Sequence, residues 1–350
     1  MPSYVAIDDN KILVGNDAKN NAIKNIGKSI YNCKRLIGRS VTDANYLKEK
    51  GYLTFDFDPK FDKIKILLDN QKIKKRFLPE QITAMLLIKI KYIAEEYLNE
   101  KIDMVTISVP SMFNNAQRVA TKNAALIAGF ANVSLLNDTL AVMLKHVWDR
   151  IDTIPRQLCE RPCTVVQIET EIFLVVSMGA GFTSFSLMEL KGNYIQVINH
   201  CGLDFGGDEF DKCLYDNIET NLKHKFEKKQ KYESLLKVEK QKKVLDKSNS
   251  DSPDVKFSRD SKEFITDENY ESNCKHLYES IEQKLKELFT EVNVKRIKIT
   301  QVLLVGGSSK LKRLKRFINE NFSNVKEFGD DAIAGGCALH SAIPRSDLFQ

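Results

Sequence analysis

Apolar and polar positions follow two alternating rhythms along this chain. Short apolar runs are succeeded by stretches in which apolar residues recur every three or four positions. Ile102–Val109 (IDMVTISV) predicts a strand, stopped by Pro110. Asn114–Ala128 predicts a helix with an Ala/Ile/Leu face, Val133–Leu136 a short strand and Asp138–Trp148 a helix. This βαβα alternation predicts an α/β layer. From about Thr164 the rhythm changes. Thr164–Ile168, Ile172–Val176, Phe182–Leu190 and Tyr194–Asn199 are strand-like runs separated by short turns and predict an antiparallel meander.

Helical rhythm then resumes over Asp208–Leu222, the lysine-rich Phe226–Leu245 and Asp267–Val292, with a polar loop at Lys247–Asp254 (KSNSDSPD) between the last two. Gln301–Val305 is a buried-type strand, broken by Gly306-Gly307, and Ser308 opens another helix. The order predicts two lobes, 1–150 and 151–350, with a helical/β subdomain at about 212–296 in the second. The length of 350 residues agrees, at roughly 100–200 residues per domain.

Composition narrows the classes. Hydrophobic residues at 43% supply a core, and a net charge of +6 is too mild for a dedicated nucleic-acid binder. No apolar run reaches about 18 residues, so no membrane helix is expected. Met1-Pro2-Ser3-Tyr4 lacks a secretory n-region. The seven cysteines are odd in number and scattered, which points to reduced thiols and a cytoplasmic setting. Cys159 and Cys163 lack two further ligands nearby, so free thiols are favoured over zinc.

Three glycine turns carry candidate chemistry. Met178-Gly179-Ala180-Gly181 lacks the third glycine and following helix of a dinucleotide fingerprint, and taken alone it reads as a β-hairpin. Gly206-Gly207-Asp208 and Gly306-Gly307-Ser308 each precede a helix. There they suit either an anion at the helix N-terminus or a tight turn with a Ser cap and no ligand. No P-loop string occurs.

Taken in order, several stretches resemble the nucleotide-binding domain of the 70-kDa heat-shock (DnaK-like) chaperones, of the actin-like ATPase superfamily. They are PSYVAI (Pro2–Ile7), CKRLIGR (Cys33–Arg39), the Leu78–Leu98 helix and ISVPSMFNNAQRVATKNAALIAG (Ile107–Gly129). LNDT at Leu136, GGDEFD at Gly206, VLLVGGS at Val302 and DDAIAGGCA at Asp330 follow. The resemblance implies a two-lobed, ribonuclease H-like fold that hydrolyses ATP between its lobes and passes that state to a peptide-binding domain. It places Lys34 at the lysine near the transferring phosphate and Asp138 at a magnesium-shell glutamate. Glu239 and Lys242, three apart on one helix, match ribose-holding residues, and Lys310 stands for an adenine-stacking arginine. Gly179 and Gly181 match the second phosphate loop; Gly206, Gly207, Gly306, Gly307, Ser308 and Asp330 complete the nucleotide-binding set.

The departures shape the expected function. The family's first phosphate loop precedes the PSYVAI strand, and here Met1 precedes Pro2, so lobe one is expected to lack its first strands. Ser177 and Ser184 replace two aspartates, and Phe182 replaces a threonine. Phosphoryl transfer depends on a metal bridging the phosphates. The expectation is therefore weak ATP or ADP binding, no magnesium and little or no hydrolysis. The chain would act in protein folding, as a co-chaperone or regulator, through protein partners of chaperone, co-chaperone or nucleotide-exchange type. Ser134 replaces an arginine used toward J-domain co-chaperones, so that contact is not expected. Two other readings are an active chaperone whose N-terminus is missing, and a basic RNA or ribosome-surface module resting on Lys223–Lys247 and Lys310–Arg316.

Overall fold

A computed structural model describes residues 1–8, 11–22, 28–49, 51, 53, 55–58, 63–70, 73–153, 169–192, 194–221, 228–245, 267–290 and 298–343. By packing, the chain divides into two units. The first holds Met1–Val105, Phe113–Leu135 and Ile218–Val238; the second holds Thr106–Met112, Leu136–Asn217 and Glu239–Gln350. Each is described by itself.

In the first unit, β1 (Val5–Asp8) pairs antiparallel with β2 (Lys11–Val14), and α1 (Asn16–Asn21) leads to β3 (Ser29–Ile30) on the other side of β1. A 3₁₀ turn, Cys33–Arg35, precedes α2 (Val41–Glu49). The strands β4 (Asp56–Phe57), β5 (Ile66–Asn70) and β6 (Ile73–Phe77) make a second small antiparallel sheet. The apolar rhythm had not signalled it, because its strands are short and β6 is mostly charged. α3 (Pro79–Leu98) starts with Pro at its first turn, where a missing N–H costs nothing, and the Gln81 side chain accepts from Leu78 N–H at 2.8 Å. Val5, Ile30, Leu36, Phe55, Ile66 and Ile82 form the core.

The strand read at Ile102–Val109 is β7 (Met104–Val109). α4 (Asn115–Ile127) opens with a reciprocal cap: Asn114 Oδ1 accepts from Gln117 N–H at 2.9 Å, and Gln117 Oε1 accepts from Asn114 N–H at 3.1 Å. It packs on α3. β8 (Asn132–Asn137) pairs with β7.

In the second unit, α5 (Asp138–Thr153) precedes the meander β9 (Thr170–Met178), β10 (Thr183–Lys191) and β11 (Tyr194–Leu203). The meander is antiparallel, as its turns predicted. α6 (Gly207–Asn221) and α7 (Lys228–Leu245) follow; Ile218–Asn221 of α6 and Lys228–Val238 of α7 belong to the first unit. The long helix expected over Asp267–Val292 is α8 (Asp267–Asn273) and α9 (Lys275–Thr290), which meet at Cys274, a fully buried residue whose thiol faces α6 and whose N–H still donates to the Tyr270 carbonyl at 3.1 Å; residues 291 and 292 lie outside the described residues. β12 (Gln301–Val305) lies parallel to β9 and completes the sheet order β11-β10-β9-β12-β13 with β13 (Val325–Glu327). Phe173, Leu174, Val175 and Val176 of the central β9 are all fully buried, the continuous apolar run of a strand covered on both faces. After Gly306 the chain makes a 3₁₀ turn, Gly307–Lys310, and the helix expected at Ser308 begins only at Lys312 as α10 (Lys312–Asn321). α11 (Ala332–Ala342) packs on α5. The expected Thr164–Ile168 strand, the Lys247–Asp254 loop and the pair Cys159 and Cys163 lie outside the described residues.

Candidate functional site: a hydroxyl-held carboxylate and a buried lysine

The β9–β10 turn is a closed hairpin: Met178 pairs with Thr183, and Gly179 N–H donates to the Phe182 carbonyl at 3.0 Å. The hairpin is bound in turn to the start of α6. Gly207 N–H donates to the Gly179 carbonyl at 3.0 Å and Asp208 N–H to the Ala180 carbonyl at 2.8 Å. Gly206 N–H donates to Glu209 Oε2 at 2.8 Å. Three donors that a helix start offers to an anion are thus taken within the protein. Gly206 is required there, since a Cβ would collide with the Gly179 carbonyl. Gly306 likewise has φ +92°, and its Cβ would strike the Met178 carbonyl. So the three glycine turns are drawn together within the second unit. Among the described residues, a Cβ at Gly307 would meet nothing within 4 Å, which leaves room beside that turn.

Asp138 opens α5 at 9% exposure. Its Oδ1 accepts from Thr139 N–H at 2.8 Å. Its Oδ2 accepts from the Ser177 hydroxyl at 3.3 Å and the Ser184 hydroxyl at 3.2 Å. The two serines reach one oxygen because the β9–β10 register sets Ser177 directly opposite Ser184. Ser184 Oγ also accepts from Ser111 N–H at 3.3 Å, while Thr139 Oγ1 lies 3.0 Å from Ser111 Oγ and 2.8 Å from Ser186 Oγ. The result is a buried web of hydroxyls around one carboxylate. Hydrogen bonding of this kind lowers the cost of burying a carboxylate. Ser111, Thr139 and Ser186 were missed by the sequence reading. The signal was available for one of them: Ser184 and Ser186 are polar at alternate positions of one strand, hence on one face.

Lys242 is buried at 6% exposure. Its ammonium donates to the Gly207 carbonyl at 2.8 Å and sits 2.7 Å from Asp211 Oδ1. Burial pushes the Asp211 carboxyl up to about 7, with Lys242 pulling it back down. Ser234, Val238 and Lys242 are all buried and four apart, so Lys242 continues the buried stripe of α7. Glu239 is half-exposed and pairs with Lys243 at 2.5 Å. Lys310 and Asp330, both candidates, lie 3.8 Å apart as an exposed pair, and Ser308 is buried with its hydroxyl against Gly207. Lys34 is exposed on the Cys33–Arg35 turn of the first unit; every other candidate belongs to the second.

Two further points bear on the alternatives. Among the described residues no group of three or more His, Cys, Asp or Glu side chains is placed to hold a metal ion, and no helix is long and apolar enough to cross a membrane. The basic run Lys310–Arg316 is matched by acids: Arg313 with Glu282 at 3.7 Å, Lys315 with Glu327 at 2.6 Å and Arg316 with Glu271 at 3.3 Å. That removes most of the unbalanced charge on which a phosphate-backbone surface depends.

Comparison with known proteins places the whole chain. A family model described as Hsp70 protein matches residues 1–348. The heat shock 70 kDa protein of Neurospora crassa is 29% identical over 360 residues, covering 99% of this chain and 53% of that protein. That of Ajellomyces capsulatus is 27% identical over 362 residues, covering 99% and 49%. Heat shock cognate 70 kDa protein 3 of Dictyostelium discoideum is 28% identical over 363 residues, covering 99% and 55%. The chain spans about half the length of the curated relatives it matches.

Proposed function

The chain belongs to the Hsp70 family, and from that premise we propose that it is a nucleotide-binding domain that retains a nucleoside site and has reduced or lost its magnesium-dependent ATP hydrolysis. The Hsp70 family binds ATP and ADP with magnesium, and its members work with co-chaperones and client proteins. In this reading the chain serves protein folding as a co-chaperone or regulator, through contacts with other proteins.

One observation carries the proposal. Asp138 Oδ2 is held by the Ser177 and Ser184 hydroxyls, the two residues that stand where the family resemblance puts aspartates. Two hydroxyl donors occupy this carboxylate oxygen. A metal bound by this one carboxylate would also displace two hydrogen bonds, each worth about 1.5–3 kcal/mol to a charged group. With serines at 177 and 184, these residues do not fit a magnesium cage. The nucleoside side fits better. Space beside Gly307, with the exposed Lys310 and Asp330, supports room for a base and sugar.

Calorimetric titration with ADP and ATP, each with and without magnesium, tests the reading. The expected result is ADP binding that magnesium does not change, and no turnover. Magnesium-dependent binding together with turnover lost in Lys34→Ala would overturn it. That outcome supports a second reading, favoured by the coverage of about half of each relative: the nucleotide-binding part of an ATP-hydrolysing chaperone.

A further inference from the structure

Two thiols far apart in sequence meet in the second unit. Cys213 lies in α6, and Cys274 is the residue at which α8 and α9 meet. Cys213 Sγ is 3.3 Å from the carbonyl oxygen of Asn273, the residue immediately before Cys274. Cys274 Sγ is 4.0 Å from the carbonyl oxygen of Phe210, three residues before Cys213. Each sulfur thus rests against the backbone beside the other, which brings the two thiols together. Both are free in this structure.

The two positions differ in a way that suits sequential oxidation. Cys213 is half-buried, whereas Cys274 is fully buried beneath Phe210, Tyr270 and Tyr278, whose rings pack together. The Cys213 thiol is held below its ordinary value, chiefly by the hydrogen bond from Cys274, and the Cys274 thiol is held well above its own by that bond and by burial. Thiolate character and access together mark the reactive cysteine, and burial marks the inert one.

We propose that Cys213 and Cys274 form a peroxide-responsive modification site, with Cys213 the attacking and Cys274 the resolving thiol. The Cys213 thiolate attacks one oxygen of hydrogen peroxide; the O–O bond breaks, hydroxide leaves and takes up the thiol's proton as water, and Cys213 becomes a sulfenic acid. The Cys274 sulfur then displaces that oxygen, its own proton leaving with it as a second water, and an S–S bond forms. Two thiols and one peroxide become one disulfide and two waters. The bond ties α6 to α8 and α9 two residues beyond Asp211, the partner of Lys242. The proposal is independent of the nucleotide reading.

The test uses the full chain, treated with equimolar hydrogen peroxide, quenched with N-ethylmaleimide and mapped by non-reducing peptide mass spectrometry. One cross-linked pair is expected, joining the Cys213 peptide to the Cys274 peptide, while Cys33 and Cys201 remain alkylated. In Cys213→Ser, Cys274 should lose its thiol at least about tenfold more slowly, as a buried thiol without its partner. In Cys274→Ala, Cys213 should stop at a sulfenic acid that dimedone traps. The proposal is overturned if Cys213 oxidises to sulfinic acid while Cys274 stays reduced. Cross-linking of Cys213 to any other cysteine, Cys159 and Cys163 included, or oxidation of Cys201 before Cys213, also overturns it.

Discussion

Replacing Ser177 with Asp places a second carboxylate against Asp138. Ser177 Oγ is 3.3 Å from Asp138 Oδ2, and the two residues are 4% and 9% exposed. Two like charges at about 4 Å repel by about 4 kcal/mol at an effective dielectric constant of about 20, and by about 1 kcal/mol in bulk water. Burial puts this pair nearer the first figure, and one hydroxyl donor to Asp138 is lost as well. Uptake of a proton by one carboxyl relieves part of the cost, since a like charge nearby raises a carboxyl's pKa. A net loss of about 2–4 kcal/mol at pH 8 is expected. That is a fall in midpoint of roughly 4–16 °C for a unit of this size. The sign with pH follows: the folded variant binds more protons than its unfolded chain, so its stability falls as pH rises from about 5 to 8. The assay is thermal and urea unfolding of Ser177→Asp and of Ser177→Asp/Ser184→Asp, at pH 5.5 and 8, with and without millimolar magnesium. Magnesium should restore the variants at pH 8, because a divalent cation neutralises paired carboxylates, and should leave the parent chain unmoved. If Ser177→Asp unfolds with the parent at pH 8, the two side chains do not converge and the hydroxyl-held carboxylate is refuted. If magnesium stabilises the parent chain as much as the variants, the cage is intact without the substitutions and the proposed loss of metal dependence is wrong.

Two more outcomes follow from buried ionisable groups. Lys242→Met leaves Asp211 buried without its cation and should cost about 3–5 kcal/mol above pH 7, where the carboxyl ionises. Adding Asp211→Asn should recover most of that loss; single-variant effects that merely add in urea melts would show that the two groups do not interact. His146 is buried against Phe173 and Phe328, and burial, with Lys326 and Arg150 nearby, lowers it to about 4. The unfolded chain therefore takes up this proton first, and stability should fall as pH drops from about 6.5 to 4, by at most about 3 kcal/mol from this group. His146→Gln should flatten that stretch of the stability curve, and an unchanged slope would show that His146 is not the group responsible.

Much of the fold was legible because its signals are local. Period-two and period-four rhythms, Pro110, the Asn114–Gln117 cap and the glycine turns are properties of neighbours in sequence, and strands and helices obey neighbours first. The same local logic held through Cys274, where α8 and α9 meet: its N–H still donates to the Tyr270 carbonyl at 3.1 Å and its carbonyl accepts from Tyr278 N–H at 3.4 Å. The sheet of β4, β5 and β6 escaped notice because its strands are only two to five residues long and the charges of IKKRF at Ile73–Phe77 break the apolar signal.

The candidate site divides along the same line. The sequence by itself determined which residue types are present: serines at 177 and 184 in place of acids, a lysine at 242, glycines where backbones must approach closely. Only the tertiary structure decided what they touch. Ser177 and Ser184 converge on Asp138 because strand register sets them opposite each other and α5 starts above them. Lys242 is an internal cation because the stripe of α7 that carries it faces Gly207 and Asp211. Such partners lie from 31 to 61 residues away, as with Lys242 and Asp211 or Cys213 and Cys274. Chain neighbours fix each residue's conformation, but a buried charge or thiol takes its character from whatever distant groups packing brings within reach.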